Sequence, residues 1–592
     1  MPFCNCNLIR RNTLFEAYPE WAHEFARKYL SKTLNSFILH GNVRDLVEIR
    51  YVSGDKTSRK KKSKEQRSDF RRFKSFLADE FFGARDLVLF YDRSSGIHFR
   101  DRKTMTDFNR SISSPSGDNS EKIPRDPVRV MSILEKYFRL RIQERKSIAC
   151  VIDFSETIVP NSETGSSGTE DRTSLVYLLK WAQDPLFLAA DFTVVLLTEN
   201  LTDLNRSLVQ SPFIANIKVG LPPQKTREYF IRDFADEKKL SGISEVSVPV
   251  LAQQTAGLGL VALRGILSHA LENKTKLTFE RLSAIKKEMI EAEAYGLLEF
   301  VETKSSLDDV AGHSLVKKHL RSASAALKTG HPDVLPMGYL VCGPVGTGKT
   351  YLVTCFAGEV GIPMVKLKNF RSQWQGVTEG NLEKILSLLD AMAPVAVMID
   401  EADAYLGDRN ASGDSGVSSR VFAQIAQFMS NTKNRGRIVW FLMTARPDLM
   451  PVDLKRQGRA EEHLALFYPE TQEERKELFE AMKKKTGLVM TQNEVPEVIL
   501  NGEKKLSGAD MEAALTRARF RAATEGKKRV SIEVLNAALE DFLPPTYPEE
   551  IELQTLLAVK ECTSREMLPE RFSEMDRDEL SYRIDELKEL VR

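Results

Sequence analysis

The sequence predicts an α/β protein: two consecutive domains of parallel strands alternating with helices, the second carrying a helical lid and a short helical tail. Three observations point there. Short, continuously apolar runs, the pattern of strands buried on both faces, recur between segments of helical periodicity. One of them, GYLVC at 338–342, runs straight into GPVGTGKT at 343–350, which has the GxxxxGK[ST] spacing of a strand, a glycine-rich turn and a helix. A later run, PVAVMID at 394–400, ends in two adjacent acids, Asp400 and Glu401.

At 592 residues the chain exceeds what one hydrophobic core supports. Hydrophobic residues make up 42%, charged residues 28%, and the formal charge is +2, a balance typical of soluble globular domains with no global bias toward nucleic acid or anionic membrane. No stretch is apolar and long enough to span a bilayer, and MPFCNCNLIRR lacks the apolar centre of a secretory signal, so a cytoplasmic protein is expected. Six cysteines are scattered; Cys4 and Cys6 have no second pair to complete a zinc tetrahedron, and free thiols are expected. No HExxH zinc-protease signature occurs.

In chain order, residues 1–34 form an N-terminal helical segment, with apolar residues at helical spacing from Trp21 to Leu34. The first α/β domain follows over 35–295. SFILH (36–40), LVLFY (87–91), SIACVID (147–153), DFTVVLLTEN (191–200) and IANIKV (214–219) read as strands, 68–82 as a helix, and 250–294 as a helical lid. The basic run KTSRKKKSKEQRSDFRR (56–72) has no aromatic residue before Phe70, which fits a solvated loop better than a nucleic-acid site. The parts follow the same order as in the second half, but the chemistry is missing. After LVLFY comes DRSSG (92–96) instead of GxxxxGK, and Asp153 is followed by Phe154 instead of a second acid. Neither hydrolysis nor tight nucleotide binding is expected there.

Residues 296–470 then form the active large α/β subdomain, entered through LLEFVETKSSLDD (297–309), which bridges the halves. A helical lid over 471–543 stops at LPPTYPEE, and short amphipathic helices over 544–592 form the tail. Phosphate oxygens need many donors at short range. Gly343, Gly346 and Gly348 let the backbone between Gly343 and Thr350 curl, through Pro344, Val345 and Thr347, until its N–H groups share one concavity closed by Tyr351 and the helix start. Lys349 adds charge and the Thr350 hydroxyl offers a ligand to Mg²⁺. Asp400 is positioned to hold Mg²⁺ through water, and Glu401 to polarise the attacking water. ATP and Mg²⁺ are therefore the expected cofactors. Arg456 and Arg459, in DLKRQGR ahead of the strand HLALFY, are candidates for guanidinium groups that act on a neighbouring chain's phosphate.

These motifs resemble the AAA family of ATPases across 306–543, and more loosely across 35–294. GPVGTGKT, VMIDE, SGDSGVSSRVFAQIAQFM, RQGR and the lid signature SGAD at 507–510 carry the likeness. It is greatest to cyanobacterial and plastid proteins with a degenerate domain ahead of an active one. The resemblance implies a P-loop NTPase αβα sandwich with helical lid and an oligomer, usually a ring of six. It implies that Val310, Gly312 and Ala509 lie near adenine and ribose. It also implies that SQWQGVTEGNLEKIL at 372–386 is a pore loop and its helix, with Trp374 and Gly376 gripping a polypeptide, and that 414–420 is a second pore loop. The implied partners are further copies of the chain and a protein substrate or adaptor. Ala445 departs from the pattern, standing where many members carry Asn to position water. The function expected is ATP-driven remodelling of proteins. An assembly switch with slow hydrolysis is the first alternative, and a nucleic-acid loader the second.

Overall fold

The structure, a computed structural model, describes residues 18–51, 67–112, 124–161, 168–234, 242, 244–245, 247–273, 275–294, 296–301, 305–328, 334–368, 379–406, 417–492, 494–502, 504–544 and 547–591. It divides into two compact units: Met1–Ile290 with Val377–Ala391, and Glu291–Gly376 with Met392–Arg592.

The first unit is built on a six-stranded sheet. Its strands are β1 (Ser36–Gly41), β4 (Leu87–Asp92), β5 (Gly96–Phe99), β6 (Ile148–Ile152), β7 (Phe192–Thr198) and β8 (Ile214–Val219), in the order β5-β4-β6-β7-β1-β8. All pairings are parallel except β4 with β5. Successive residues point to opposite faces, as the pleat requires. Tyr91, Cys150 and Leu196 pack under the helices Pro127–Gln143 and Thr169–Gln183, while Phe37, Val151 and Leu197 pack with Phe73, Phe76 and Phe81 on the other face. The helix Glu20–Leu30, which the sequence sets apart within 1–34, belongs to this second core: Phe25 stacks on Phe37 with ring centroids 4.1 Å apart.

Two segments differ from expectation. Residues 68–72 are not the start of a helix; β3 (Arg67–Arg72) pairs antiparallel with β2 (Leu46–Tyr51), and helical backbone begins only at Phe73. Residues 377–391 fall with the first unit, where Glu383 lies 3.3 Å from the His40 ring. The helical part resolves into Val248–Gln254, Leu260–Glu272 and Phe279–Glu293.

The second unit repeats the plan. Its strands β9 (Leu298–Val301), β10 (Gly338–Cys342), β11 (Met364–Leu367), β12 (Val395–Ile399), β13 (Ile438–Thr444) and β14 (Glu462–Ala465) lie in the order β14-β10-β13-β12-β11-β9. Numbering the parallel strands of each sheet by chain order gives 5-1-4-3-2 in both units, with an antiparallel edge strand beside strand 2. That edge strand, β9, comes from the bridging stretch 297–309. A lid of helices Gln472–Thr486, Gly508–Thr524 and Ile532–Asp541 follows; capping boxes Thr471/Glu474 and Ser507/Asp510 satisfy the first N–H groups of the first two. The tail folds into helices Pro548–Glu561 and Arg577–Leu590, joined through the single turn Glu570–Ser573. No described helix is long and apolar enough to cross a membrane.

Candidate functional site

The segment from Gly343 to Thr350 joins β10 to the helix Lys349–Val360 at the carboxyl end of the sheet, where parallel α/β folds bind ligands. Two of its glycines are required by close approach. A Cβ on Gly343 would stand 2.3 Å from the Leu466 carbonyl oxygen, and one on Gly346, at φ +86°, would stand 2.7 Å from Ser507 Cβ. The lid is tied to the same turn, since Gly508 N–H donates to the Gly346 carbonyl at 3.3 Å.

Lys349 folds back over the turn, its Nζ donating to the carbonyls of Gly343 at 2.7 Å and Pro344 at 3.0 Å. Burial pushes this ammonium down to about 8. Thr350 Oγ1 donates to Asp400 Oδ2 at 3.2 Å, bringing the two predicted metal-binding residues together. The donor set, a hydroxyl and a carboxylate oxygen beside a phosphate-binding turn, fits Mg²⁺, a hard cation that takes oxygen ligands. Asp400 Oδ1 accepts the Glu401 N–H at 3.1 Å, and Glu401 itself stands exposed in the left-handed region at φ +50°.

One cavity of about 1120 Å³ gathers Val310, Gly312, residues 345–351, Asp400, Glu401, Ala445 and Ala509. Gly312, at φ +65°, donates its N–H to Glu477 Oε2 at 2.9 Å, and the neighbouring His313 ring lies 3.1 Å from the Thr347 carbonyl. Burial holds that imidazole below its ordinary value, favouring its neutral form. At the end of β13, Thr444 Oγ1 donates to Asp403 at 2.6 Å and accepts the Arg446 N–H at 2.8 Å, while Ala445 offers no polar group.

Arg456 and Arg459 do not line this cavity. They sit on the turn before β14, with the Arg456 side chain 60% exposed and 3.8 Å from Asp453, and Arg459 Nη1 donating to the Asp453 carbonyl at 2.7 Å. Trp374, Gly376 and the segment 407–416 lie outside the described residues, as do the side chains of 417–421.

Three features went unread in the sequence. Lys366 on β11 reaches Asp400 Oδ2 at 3.2 Å; its signal was a lone charge inside the apolar strand MVKL. Buried Gln554, in the tail helix, accepts the Val345 N–H at 3.1 Å, and Tyr468 donates to the Val345 carbonyl at 2.6 Å. The tail stretch 567–571 also lines the cavity. Nothing in the spacing of the tail foretold either contact.

In the first unit, the topology moves the comparison with the phosphate turn. The equivalent of β10 is β1, not β4, so the segment to compare is Gly41-Asn42-Val43-Arg44-Asp45 and not DRSSG. It also lacks GxxxxGK. Its charges are used within the fold: Asp45 accepts the N–H groups of Leu260 and Val261, both at 2.8 Å, at the start of a helix. Arg44 pairs with Asp153, which follows strand 3 as Asp400 does, and its guanidinium lies 3.8 Å over the Phe154 ring. Lys74 pairs with the other oxygen of Asp153.

Comparison with known proteins agrees with this architecture. The description "AAA+ chaperone, N-terminal Rossmann-like domain" matches residues 12–220, "AAA+ chaperone, second helical domain" matches 225–295, and "ATPase family associated with various cellular activities (AAA)" matches 339–468. The chain belongs to the AAA-type ATPases, in a tandem arrangement. Among its relatives, an uncharacterized AAA domain-containing protein ycf46 of Guillardia theta is 25% identical over 53% of this chain and 62% of its own length. A cell division cycle protein 48 homolog of Archaeoglobus fulgidus is 25% identical over 67% and 59%. An ATP-dependent zinc metalloprotease FtsH of Myxococcus xanthus is 29% identical over 42% and 40%. The chain thus spans less than two thirds of the length of each of these relatives.

Proposed function

We propose that the second unit hydrolyses ATP with Mg²⁺ and that this drives remodelling of a protein substrate by an oligomeric ring. The observation that carries the reading is the convergence of Lys349, Thr350, Asp400 and Glu401 on one cavity beside a phosphate-binding turn. Backbone N–H groups of 346–350 and Lys349 hold the phosphates; Lys349 exchanges its two carbonyl partners for phosphate oxygens. Thr350 and Asp400 hold Mg²⁺, which supplies neutralisation of phosphate charge. Glu401 accepts hydrogen bonds from the attacking water and aligns it. Arg456 and Arg459, outside the chain's own cavity and on an exposed turn, serve a neighbouring copy's nucleotide. The family's chaperone descriptions, and relatives that include a Cdc48 homolog and ATP-dependent proteases, support a protein as the substrate. Trp374 is the residue proposed to grip it.

The test is Glu401→Gln in the full chain. It should bind ATP and form a stable oligomer without releasing phosphate; hydrolysis at the wild-type rate would remove Glu401 from the mechanism. Trp374→Ala should keep ATPase activity and lose substrate processing. One observation favours the second reading, an assembly switch with slow turnover: the Thr444 hydroxyl is engaged by Asp403 and Arg446, leaving no polar side chain at Ala445 for water. Substrate processing unaffected by Trp374→Ala would favour it.

A further inference from the structure

Asp400 is doubly engaged, and one of its partners belongs to no phosphate-binding motif. The same oxygen, Oδ2, accepts from Thr350 Oγ1 and faces the Lys366 ammonium, each at 3.2 Å. The register explains how Lys366 arrives there. On β11 it pairs with Met398 of β12, two residues before Asp400, and a four-carbon stem covers the remaining distance across the end of the sheet. The first unit shows the same need met permanently. Asp153, at the equivalent place, is fully buried and carries two cations, Arg44 and Lys74. A carboxylate at the end of a buried strand is costly to desolvate alone, so a side-chain cation accompanies it in both units. The difference is access: Asp400 lines the cavity and remains 26% exposed, and the Lys366 side chain beside it is 34% exposed.

We propose that Lys366 is an exchangeable counter-ion of Asp400, holding the carboxylate in place until Mg²⁺ arrives with the nucleotide, and that the displaced ammonium stays beside the terminal phosphates. The proposal rests on the reading of this cavity as an ATP site. Lys366 and Mg²⁺ would compete for the Asp400 carboxylate, so the lysine weakens metal-dependent binding. Without metal, the ammonium offsets phosphate charge, so it strengthens metal-free binding. Both effects lower the ratio of nucleotide affinity in Mg²⁺ to affinity in EDTA, and removing the charge raises it.

The experiment measures the affinity of the full-length chain for the non-hydrolysable analogue AMP-PNP by calorimetry, in excess Mg²⁺ and in EDTA. Lys366→Met and Lys366→Gln should each raise the ratio about tenfold, while Lys366→Arg, which keeps the charge, should leave it within about threefold of wild type. An unchanged ratio in a folded Met or Gln variant overturns the proposal and makes Lys366 a structural partner only; two neutral variants guard against one failing to fold. Wild-type chain that binds no AMP-PNP in either condition overturns the ATP-site reading itself.

Discussion

Phe154 and Glu401 adopt the same left-handed backbone conformation, φ +50° at each, one residue after the aspartate that follows strand 3 of its sheet. The turn has kept its shape where its chemistry has gone. Holding a non-glycine residue there costs about 1–2 kcal/mol, and Glu401, the residue proposed to align water, carries that strain. Glu401→Gly should raise stability by about 1 kcal/mol in urea unfolding while abolishing phosphate release. A variant no more stable than wild type would show that the turn carries no strain.

The first unit should bind no nucleotide, because Arg44 and Lys74 already occupy Asp153. Arg44→Met leaves a buried carboxylate with one cation fewer, and about 3 kcal/mol of stability should be lost. Pairing it with Asp153→Asn should recover part of that loss in a double-mutant cycle; additive losses would mean that the two groups are not coupled. Phe154→Glu should leave nucleotide stoichiometry at one per chain.

Ala445→Asn places an amide at the end of β13 where the Thr444 hydroxyl is already engaged. If absence of this polar group limits water positioning, turnover should rise by up to ~10²-fold with little change in nucleotide affinity. Equal rates in the two proteins would rule the position out as the limit.

Gln554→Leu removes the acceptor of the Val345 N–H. Loss of one buried hydrogen bond on the phosphate turn, worth about 1 kcal/mol, should weaken ATP binding roughly fivefold while leaving far-UV circular dichroism unaltered. Unaltered affinity would make the contact incidental.

The tail is also held by a titrating pair. The His463 ring lies 2.9 Å from the Glu561 carbonyl and 3.4 Å from its carboxylate, while Lys455 Nζ lies 2.5 Å from the same carboxylate. Burial works against the imidazolium, but the hydrogen bonds to Glu561 outweigh it and raise the ring above its ordinary value; Glu561 is correspondingly lowered. A raised histidine stabilises fully below its unfolded pKa, about 6.5, and the contribution disappears as pH climbs through the folded value. The stability difference between wild type and His463→Asn should therefore shrink from pH 6 to pH 9. A difference constant over that range would count against the pair.

Much of this architecture was legible because strands buried on both faces announce themselves as apolar runs, and because the phosphate turn compresses its chemistry into eight consecutive residues. Lys349, Thr350, Asp400 and Glu401 were readable for that reason. The β2–β3 hairpin was hidden because RSDFRR carries charges that suit a solvated edge as well as a helix start. The wrong strand of the first unit was compared with β10 because chain order does not reveal sheet order; only the 5-1-4-3-2 arrangement identifies β1 as the counterpart. Gln554 and Lys366 act across the fold, at separations of 209 and 34 residues from their partners, and no local spacing encodes such meetings.

The helix Pro548–Glu561 decides where the second unit can be cut. LPPTYPEE looks like a natural place to end an expression fragment, yet one stopping at Leu543 would strip the acceptor from Val345, the carboxylate from Lys455 and the ring partner from His463, and would bare the side of β14. A fragment that keeps these contacts has to extend through the tail helices to Leu590, so the stretch from Pro548 onward is part of the second unit's foundation, not an appendage to it.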